Sequence, residues 1–289
     1  MNVTRIVRTL DFHVAGWPLR LVEDFSFVSG KETLSAQAER LWTAVNSPVR
    51  WLQREPRGHA AMRVGVLAAS ERADAALLVF DADGVCPPDG MDALCAAAAL
   101  TEKGVVPRSQ AVTLATASGI VRIGAVKETD AARSIALRAE IGNSPYTIVA
   151  SSEIGIPLLP DNAAKLEQFA REGRQEGKSI LYLQERNEAR SDIIVAEIGR
   201  SGKLLRAPSG GAIGALLAMR LEKDRKFGEP APVQGLSGGA VEAVALEEVE
   251  GEDGSLRLEW ELRAQPRCIG SCEFVADPAD SIGEGFLLR

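Results

Sequence analysis

Two short stretches constrain this chain more than any other feature. In each, a proline-glycine turn opens a helix made almost wholly of small residues. The first runs from Pro87-Pro88-Asp89-Gly90 into Met91-Asp92-Ala93-Leu94-Cys95-Ala96-Ala97-Ala98-Ala99-Leu100. The second runs from Pro208-Ser209-Gly210-Gly211 into the helical pattern at 212–221. Such a helix has no bulky apolar stripe to lay on one sheet. It is stable when strands approach closely from several sides and bury it all round. Each helix is preceded and followed by strand-like sequence in the same order. Two similar α+β lobes are therefore expected, each a mostly antiparallel sheet wrapped around a central helix, with a cleft between them.

The remaining elements follow from hydrophobic periodicity and turn signals. Strands are expected over 3–12 and 19–27, joined by a turn at Gly16-Trp17-Pro18. A helix over 33–45 carries Leu34, Ala38, Leu41 and Trp42 on one stripe, and Ser47-Pro48 ends it. Strands at 61–68 and 75–80 come next, the latter a continuous apolar run that reads as buried on both faces. In the second half, strands at 111–128, 134–140 and 146–151 precede a helix at 161–176. Strands at 179–183 and 192–198 lead to the second small-residue helix, and strands at 231–248, 255–263 and 268–275 close the chain. The expected lobes are residues 1–125, joined by 276–289, and residues 126–275.

Composition excludes several classes. With 46% apolar and 25% charged residues, the 289-residue chain has a globular protein's make-up. A net charge of -7 and the absence of a Lys/Arg block exclude a nucleic-acid footprint. The longest apolar run, 93–100, is too short to span a bilayer, and residues 1–8 lack a signal-peptide pattern. A cytoplasmic location is the resulting expectation, with no membrane partner. Four cysteines make no disulfide framework. Cys268 and Cys272 have no second pair or nearby histidine, so no metal site is expected.

Five stretches in order carry a family resemblance. Thr9-Leu10-Asp11-Phe12-His13-Val14-Ala15-Gly16-Trp17-Pro18-Leu19-Arg20 opens the chain, and Glu55-Pro56-Arg57-Gly58-His59 follows. The turn that opens the second helix, Gly235-Leu236-Ser237-Gly238 and Asp277-Pro278-Ala279-Asp280-Ser281-Ile282-Gly283-Glu284-Gly285-Phe286 complete the set. Together they resemble the proline racemase family, which includes hydroxyproline epimerases and trans-3-hydroxyproline dehydratases. The resemblance implies the diaminopimelate epimerase-like fold and cofactor-independent chemistry on a small carboxylate such as an amino acid. It also implies a monomer or homodimer. In the family, a cysteine at the N-terminus of each central helix removes or returns an α-proton, a role suited to a thiol whose pKa a helix end lowers.

Here Asp89 and Ser209 stand where those two thiols are, so a two-thiol mechanism cannot operate. Met91 and Leu205 replace the histidine and aspartate that hold the ring nitrogen in the family, and Asp92 adds a negative charge where an anionic substrate would bind. Gly90, Gly210 and Gly211 still permit a nest of helix N–H groups. Asp89 and Ser209 are each open to two readings: a catalytic group, or a helix N-cap. His13 and His59 either line the cleft or brace the turns that frame it. Cys86, three residues before Asp89, is the one thiol that could reach the cleft. Two functions are in play. One is an isomerase or dehydratase acting by a non-standard mechanism, with Asp89 and Ser209 catalytic and Gly90, Met91, Gly210, Gly211, His13 and His59 holding the substrate. The other is a catalytically inactive relative that binds a small molecule or a protein.

Overall fold

A computed structural model describes residues 5–23, 32–126, 132–142, 144–173, 178–187, 192–224, 227–251 and 253–287. The expected element ends at 3–4, 24–27, 127–128 and 174–176 lie outside the described residues. The chain divides into two compact units. One comprises 1–13, 18–131 and 266–289; the other comprises 14–17 and 132–265.

The first unit contains β1 (Arg5–Val14), β2 (Trp17–Val22), α1 (Leu34–Thr43), α2 (Pro48–Gln53), β3 (Val64–Ala68) and β4 (Ala75–Phe80). It continues with the short β5 (Val85–Cys86), α3 (Gly90–Glu102), β6 (Val112–Thr116) and β7 (Gly119–Ile123). The second unit contains β8 (Arg133–Glu140), β9 (Tyr146–Ala150), α4 (Ser151–Ile154), α5 (Ala163–Gly173), β10 (Ser179–Asn187) and β11 (Asp192–Ile198). It is completed by α6 (Gly210–Asp224), β12 (Pro230–Gly235), β13 (Ala240–Glu250) and β14 (Leu256–Ala264). The last strand, β15 (Arg267–Ala276), returns to the first unit and pairs antiparallel with β1.

The two units repeat one pairing scheme. In the first, β2 is parallel to β3, β3 antiparallel to β4, β4 parallel to β6 and β6 antiparallel to β7. In the second, β9, β10, β11, β12 and β13 follow the same alternation. Each parallel step is crossed by helix: α1 and α2, then α3, in one unit; α4 and α5, then α6, in the other. The pairs β1–β15, β13–β14, β14–β8 and β4–β5 are antiparallel.

The central helices behave as their composition demands. α3 is buried along nearly its whole length and packs on β3, β4, β6, β7 and β15. α6 packs on β8, β9, β13 and β14. Strand β4 is buried at every residue because it lies between two helical layers. Its Leu78 and Phe80 join Ala38, Leu41, Val49 and Leu52 of α1 and α2, while α3 also packs against the strand. Strand β11 repeats this: Ile194, Ala196 and Ile198 pack with Leu166 and Ala170 of α5. Residues 193, 195 and 197 therefore point to the opposite face.

Three local expectations are corrected. Ser47-Pro48 does not end a helix only; Ser47 caps α2 by accepting from the Arg50 N–H at 3.2 Å, with Pro48 in the first helical position. The long strand expected at 231–248 is two strands, turned at Gly235-Leu236-Ser237-Gly238, where Gly235 N–H bonds to Gly239 O at 2.9 Å. Likewise, 111–128 contains the hairpin β6–β7. Among the described residues, no helix is long and apolar enough to cross a membrane.

The stretches that carry the family resemblance hold the first unit together. Arg20 makes a bidentate ion pair with Asp11 (Nη2–Oδ2 2.7 Å, Nε–Oδ1 3.0 Å) and donates to the carbonyls of Leu52 and Arg57. Its guanidinium also lies 4.5 Å from the centre of the Phe274 ring. Gly58 sits where a Cβ would come within 2.3 Å of the Gln53 carbonyl oxygen, so only glycine fits. Arg57 donates to the Gly283 carbonyl at 2.7 Å and stacks 4.1 Å above the Trp51 ring, while Trp51 donates to the same carbonyl at 2.8 Å. Glu55 and Phe286 exchange backbone hydrogen bonds at 2.9 and 3.0 Å. The Glu-Pro-Arg-Gly-His element is thus a dock for the closing segment.

Close packing on α6 gives a test. An alanine Cβ at position 214 would lie 2.8 Å from Trp260 Nε1 and 2.9 Å from Ala139 Cβ, the first on a buried indole of β14 and the second on the strand β8 that packs on α6. Helix propensity alone favours Gly214→Ala by about 0.5–1 kcal/mol. Overpacking opposes it by about 1–3 kcal/mol, so the variant should be the less stable protein. Denaturant unfolding checks the sign; a raised midpoint would show that α6 is not enclosed.

Candidate functional site

The α3 end is built around a capping box. Asp89 adopts an extended backbone and its Oδ1 accepts from the Met91 N–H at 2.9 Å, with the Asp92 N–H bonded to the same side chain. Asp92 reciprocates, Oδ2 accepting from the Asp89 N–H at 2.8 Å. Two orphan amides of the first turn and that of the cap are thereby satisfied. Asp92 is wholly buried, and Arg63 of the segment leading into β3 forks onto it (Nη2–Oδ2 2.7 Å, Nε–Oδ1 3.1 Å). Burial works to lower the Arg63 pKa, but the Asp92 carboxylate outweighs it and holds the guanidinium above its ordinary value. The expectation that Asp92 repels an anionic ligand is therefore corrected: its charge is spent on Arg63.

The other candidates on this unit lie along the same elements. The Met91 side chain is fully enclosed, so it faces core rather than ligand, and Gly90 is buried. Burial pushes the Cys86 thiol well up, more than nearby Arg63 lowers it, which disfavours its thiolate. Cys95 lies inside α3 and its thiol is also raised by burial. His59 accepts from the Ala61 N–H on Nδ1 at 3.2 Å, and its carbonyl takes Met62 N–H at 2.8 Å and Gln53 Nε2 at 3.3 Å. It braces the turn after α2. His13 is half-buried on β1, opposite Arg267 of β15. Among the described residues no group of three or more His, Cys, Asp or Glu could hold a metal ion.

The α6 end is different. Ser209 is buried immediately before Gly210, and its Oγ accepts from the Ala212 N–H at 3.1 Å, capping the helix. Glu197, on the inner face of β11 and 4% exposed, takes both protons that Ser209 can donate: N–H to Oε2 at 2.7 Å and Oγ–H to Oε1 at 3.1 Å. On the other side of Oγ, the Tyr146 hydroxyl lies at 3.2 Å. Tyr146 is half-buried at the start of β9, and a Cβ on Gly211 would meet its hydroxyl at 2.8 Å. Gly210 is buried, while Gly211 is exposed. Glu197 and Tyr146 were missed from sequence. Glu197 could have been found, since it is the one acid within the apolar run Ile193-Ile194-Val195-Ala196-Glu197-Ile198, all of it buried.

A sequence profile described as proline racemase matches residues 9–142. The proline racemase of Clostridioides difficile is 23% identical over the whole of both chains. The 4-hydroxyproline 2-epimerase of Streptosporangium roseum is 28% identical over 47% of this chain and 43% of its own. The crystal structure of a hydroxyproline epimerase from Agrobacterium vitis, with bound trans-4-hydroxy-L-proline, matches with a TM-score of 0.77. That match is 19% identical and covers 100% of this chain and 96% of that one. Over residues 9–142 this chain is similar to the proline racemase family, and its fold is that of the hydroxyproline epimerase. Asp89 and Ser209, the residues that the resemblance sets against the family's thiols, both cap their helices.

The caps and the ion pair differ in energetic weight. Asp89→Ala should cost about 0.5–2 kcal/mol, the ordinary cost of losing a cap. Asp92→Ala should cost more, about 3–5 kcal/mol, because it removes a buried forked ion pair and leaves the Arg63 guanidinium, whose side chain is 14% exposed, with the longer contact to Asp81 at 3.8 Å in its place. Urea unfolding of both variants compares them. Equal losses would show that Arg63–Asp92 does not anchor the α3 end.

Proposed function

We propose that this protein binds a small carboxylate, proline- or hydroxyproline-like, at the N-terminus of α6, and that it does not carry out ordinary proline racemisation or 4-hydroxyproline epimerisation. The carrying observation is the asymmetry between the two helix ends. At α3, the Asp89 carboxylate itself occupies the first-turn N–H groups. At α6, Ser209 and its acid partner are buried, while the following Gly211 is exposed beside the Tyr146 hydroxyl. A helix end suits an anion through its N–H groups and its dipole. A bulky residue at 211 would close that approach, and glycine keeps it open. The family supports the ligand class, since the hydroxyproline epimerase of the same fold holds trans-4-hydroxy-L-proline.

A second reading keeps catalysis, with Asp89 as the base of an isomerase or dehydratase. Its support is that Asp89 stays half-exposed although it caps α3. Against it, the Met91 and Asp92 amides would lose their acceptor as Asp89 took up a proton. Ser209, its proton already directed to Glu197, is a poor base without further help.

Two measurements test the proposal. A small carboxylate present at a hundred times its Kd should stabilise the fold by about 2.7 kcal/mol, read as a raised Tm with L-proline or trans-4-hydroxy-L-proline. No stabilisation and no heat of binding from either would refute the binding site. Polarimetry should detect no net conversion of either compound at rates ordinary for the family, because both thiols are absent and such losses cost several powers of ten. Ordinary turnover would restore the catalytic reading.

A further inference from the structure

Strand β15 ends the sheet on one side. β1 pairs with one of its edges, and among the described residues no strand pairs with the other. The backbone shows which groups are left open there. The Glu23 N–H bonds to the Arg8 carbonyl at 2.9 Å, so Arg8 turns its backbone towards the β2 side. Opposite Arg8 stands Glu273, whose N–H and C=O must then point away from β1, because antiparallel pairs alternate between bonded and unbonded. The same alternation turns Ser271 and Val275 outwards, and among the described residues no other backbone group takes them.

Edges of this kind are ordinarily blunted by lysine, proline or a bulge. β15 has its bulge only near the start, at Ile269. From 270 to 276 it carries one charge, Glu273, and Arg8 on β1 already meets that carboxylate at 2.8 Å. The outer face is also partly apolar. Val275 is exposed, its cross-strand neighbour Ile6 is exposed, and so is Ile269.

We propose that this edge joins two copies of the chain, β15 pairing antiparallel with β15 about a two-fold axis at Cys272. Directly opposite residues share a face, so each allowed register is centred on a residue. Centred on Glu273, the register sets like charges against each other. Centred on Ser271 or on Phe274, it sets Glu273 against Ile269 or against Val275. Centred on Cys272, it sets Ser271 against Glu273 and Gly270 against Phe274, and it brings Val275 and Ile6 towards the partner's Ile269. Polar groups then meet polar groups, and apolar side chains meet apolar ones. Ser271 and Glu273 exchange both backbone bonds across the axis. Cys272, a half-buried free thiol, becomes an unbonded pair with itself. The Cα atoms of such a pair lie about 4.5 Å apart, within the span of a disulfide. The two-fold pattern selects the occupant, since a second copy matches it on both sides of the axis.

Sedimentation velocity of the full chain in reducing buffer should show a dimer at micromolar concentration that dissociates on dilution. Diamide, which takes one hydrogen from each of two thiols, should trap that dimer through a Cys272–Cys272 disulfide, read by non-reducing electrophoresis and mass spectrometry. Cys272→Ser should abolish the trapping and Cys268→Ser should not. Glu273→Pro removes an N–H that points away from β1, so the pairing with β1 survives while the bonds across the axis are lost. Its dimer Kd should rise about tenfold or more. Circular dichroism confirms folding, and should Glu273→Pro not fold, Val275→Lys takes its place with the same expected weakening. A chain that stays monomeric at high micromolar concentration overturns the inference, whatever other segment the edge accepts. So does a dimer that diamide does not link through Cys272, or one whose Kd the edge variant leaves unchanged, because its interface lies on another face.

Discussion

Close approach of strands to two helices is the constraint on which the rest depends. An alanine- or glycine-rich helix contributes little apolar area on any one face, so its stability comes from being covered on many. At α6, the absence of a Cβ on Gly214 lets the Trp260 indole and Ala139 reach the helix backbone. At α3, the run from Ala93 to Leu100 is almost entirely enclosed. Enclosure on that scale requires strands before and after each helix, and the repeated alternation of parallel and antiparallel pairs supplies them. The outer helices then cover the far face of the same strands, which is why β4 and β11 carry apolar residues at nearly every position.

A buried helix must also end somewhere, and its first-turn N–H groups need partners. That requirement sets the chemistry of both sites. A thiol at such a position sits against donors that favour its anion. A carboxylate there becomes a cap, and a serine becomes a cap that still needs an acceptor for its own proton. Glu197 is that acceptor, so a side chain far along β11 in sequence is what orders the end of α6. The two ends therefore diverge: one turns inward on itself, and the other keeps a hydroxyl chain that begins at a half-buried phenol.

Much of this was legible in the sequence because it rests on pattern. The turns opening both central helices, the doubly buried run at 75–80 and the family's motifs all reflect spacing and residue size. What was not legible depends on pairs brought together from a distance. Asp92 read as a lone charge because nothing in its neighbourhood announces Arg63, which lies 29 residues earlier. Nothing near Arg57 marks its acceptor, the Gly283 carbonyl, which lies 226 residues away. Ser47-Pro48 carries a stop signal and a start signal at once, and burial of Val49, Trp51 and Leu52 decides for a new helix. Tyr146 opens a strand after a turn, with no periodic signal to mark it.

Charge compensation explains why these departures come in sets. Burying a carboxylate without a partner costs far more than any cap returns. Asp92 is tolerable because Arg63 meets it with two donors, and Glu197 because Ser209 meets it with two. Changing one member alone would leave the other stranded in the core. A serine at the α6 end accordingly binds the identity of residue 209 to that of residue 197.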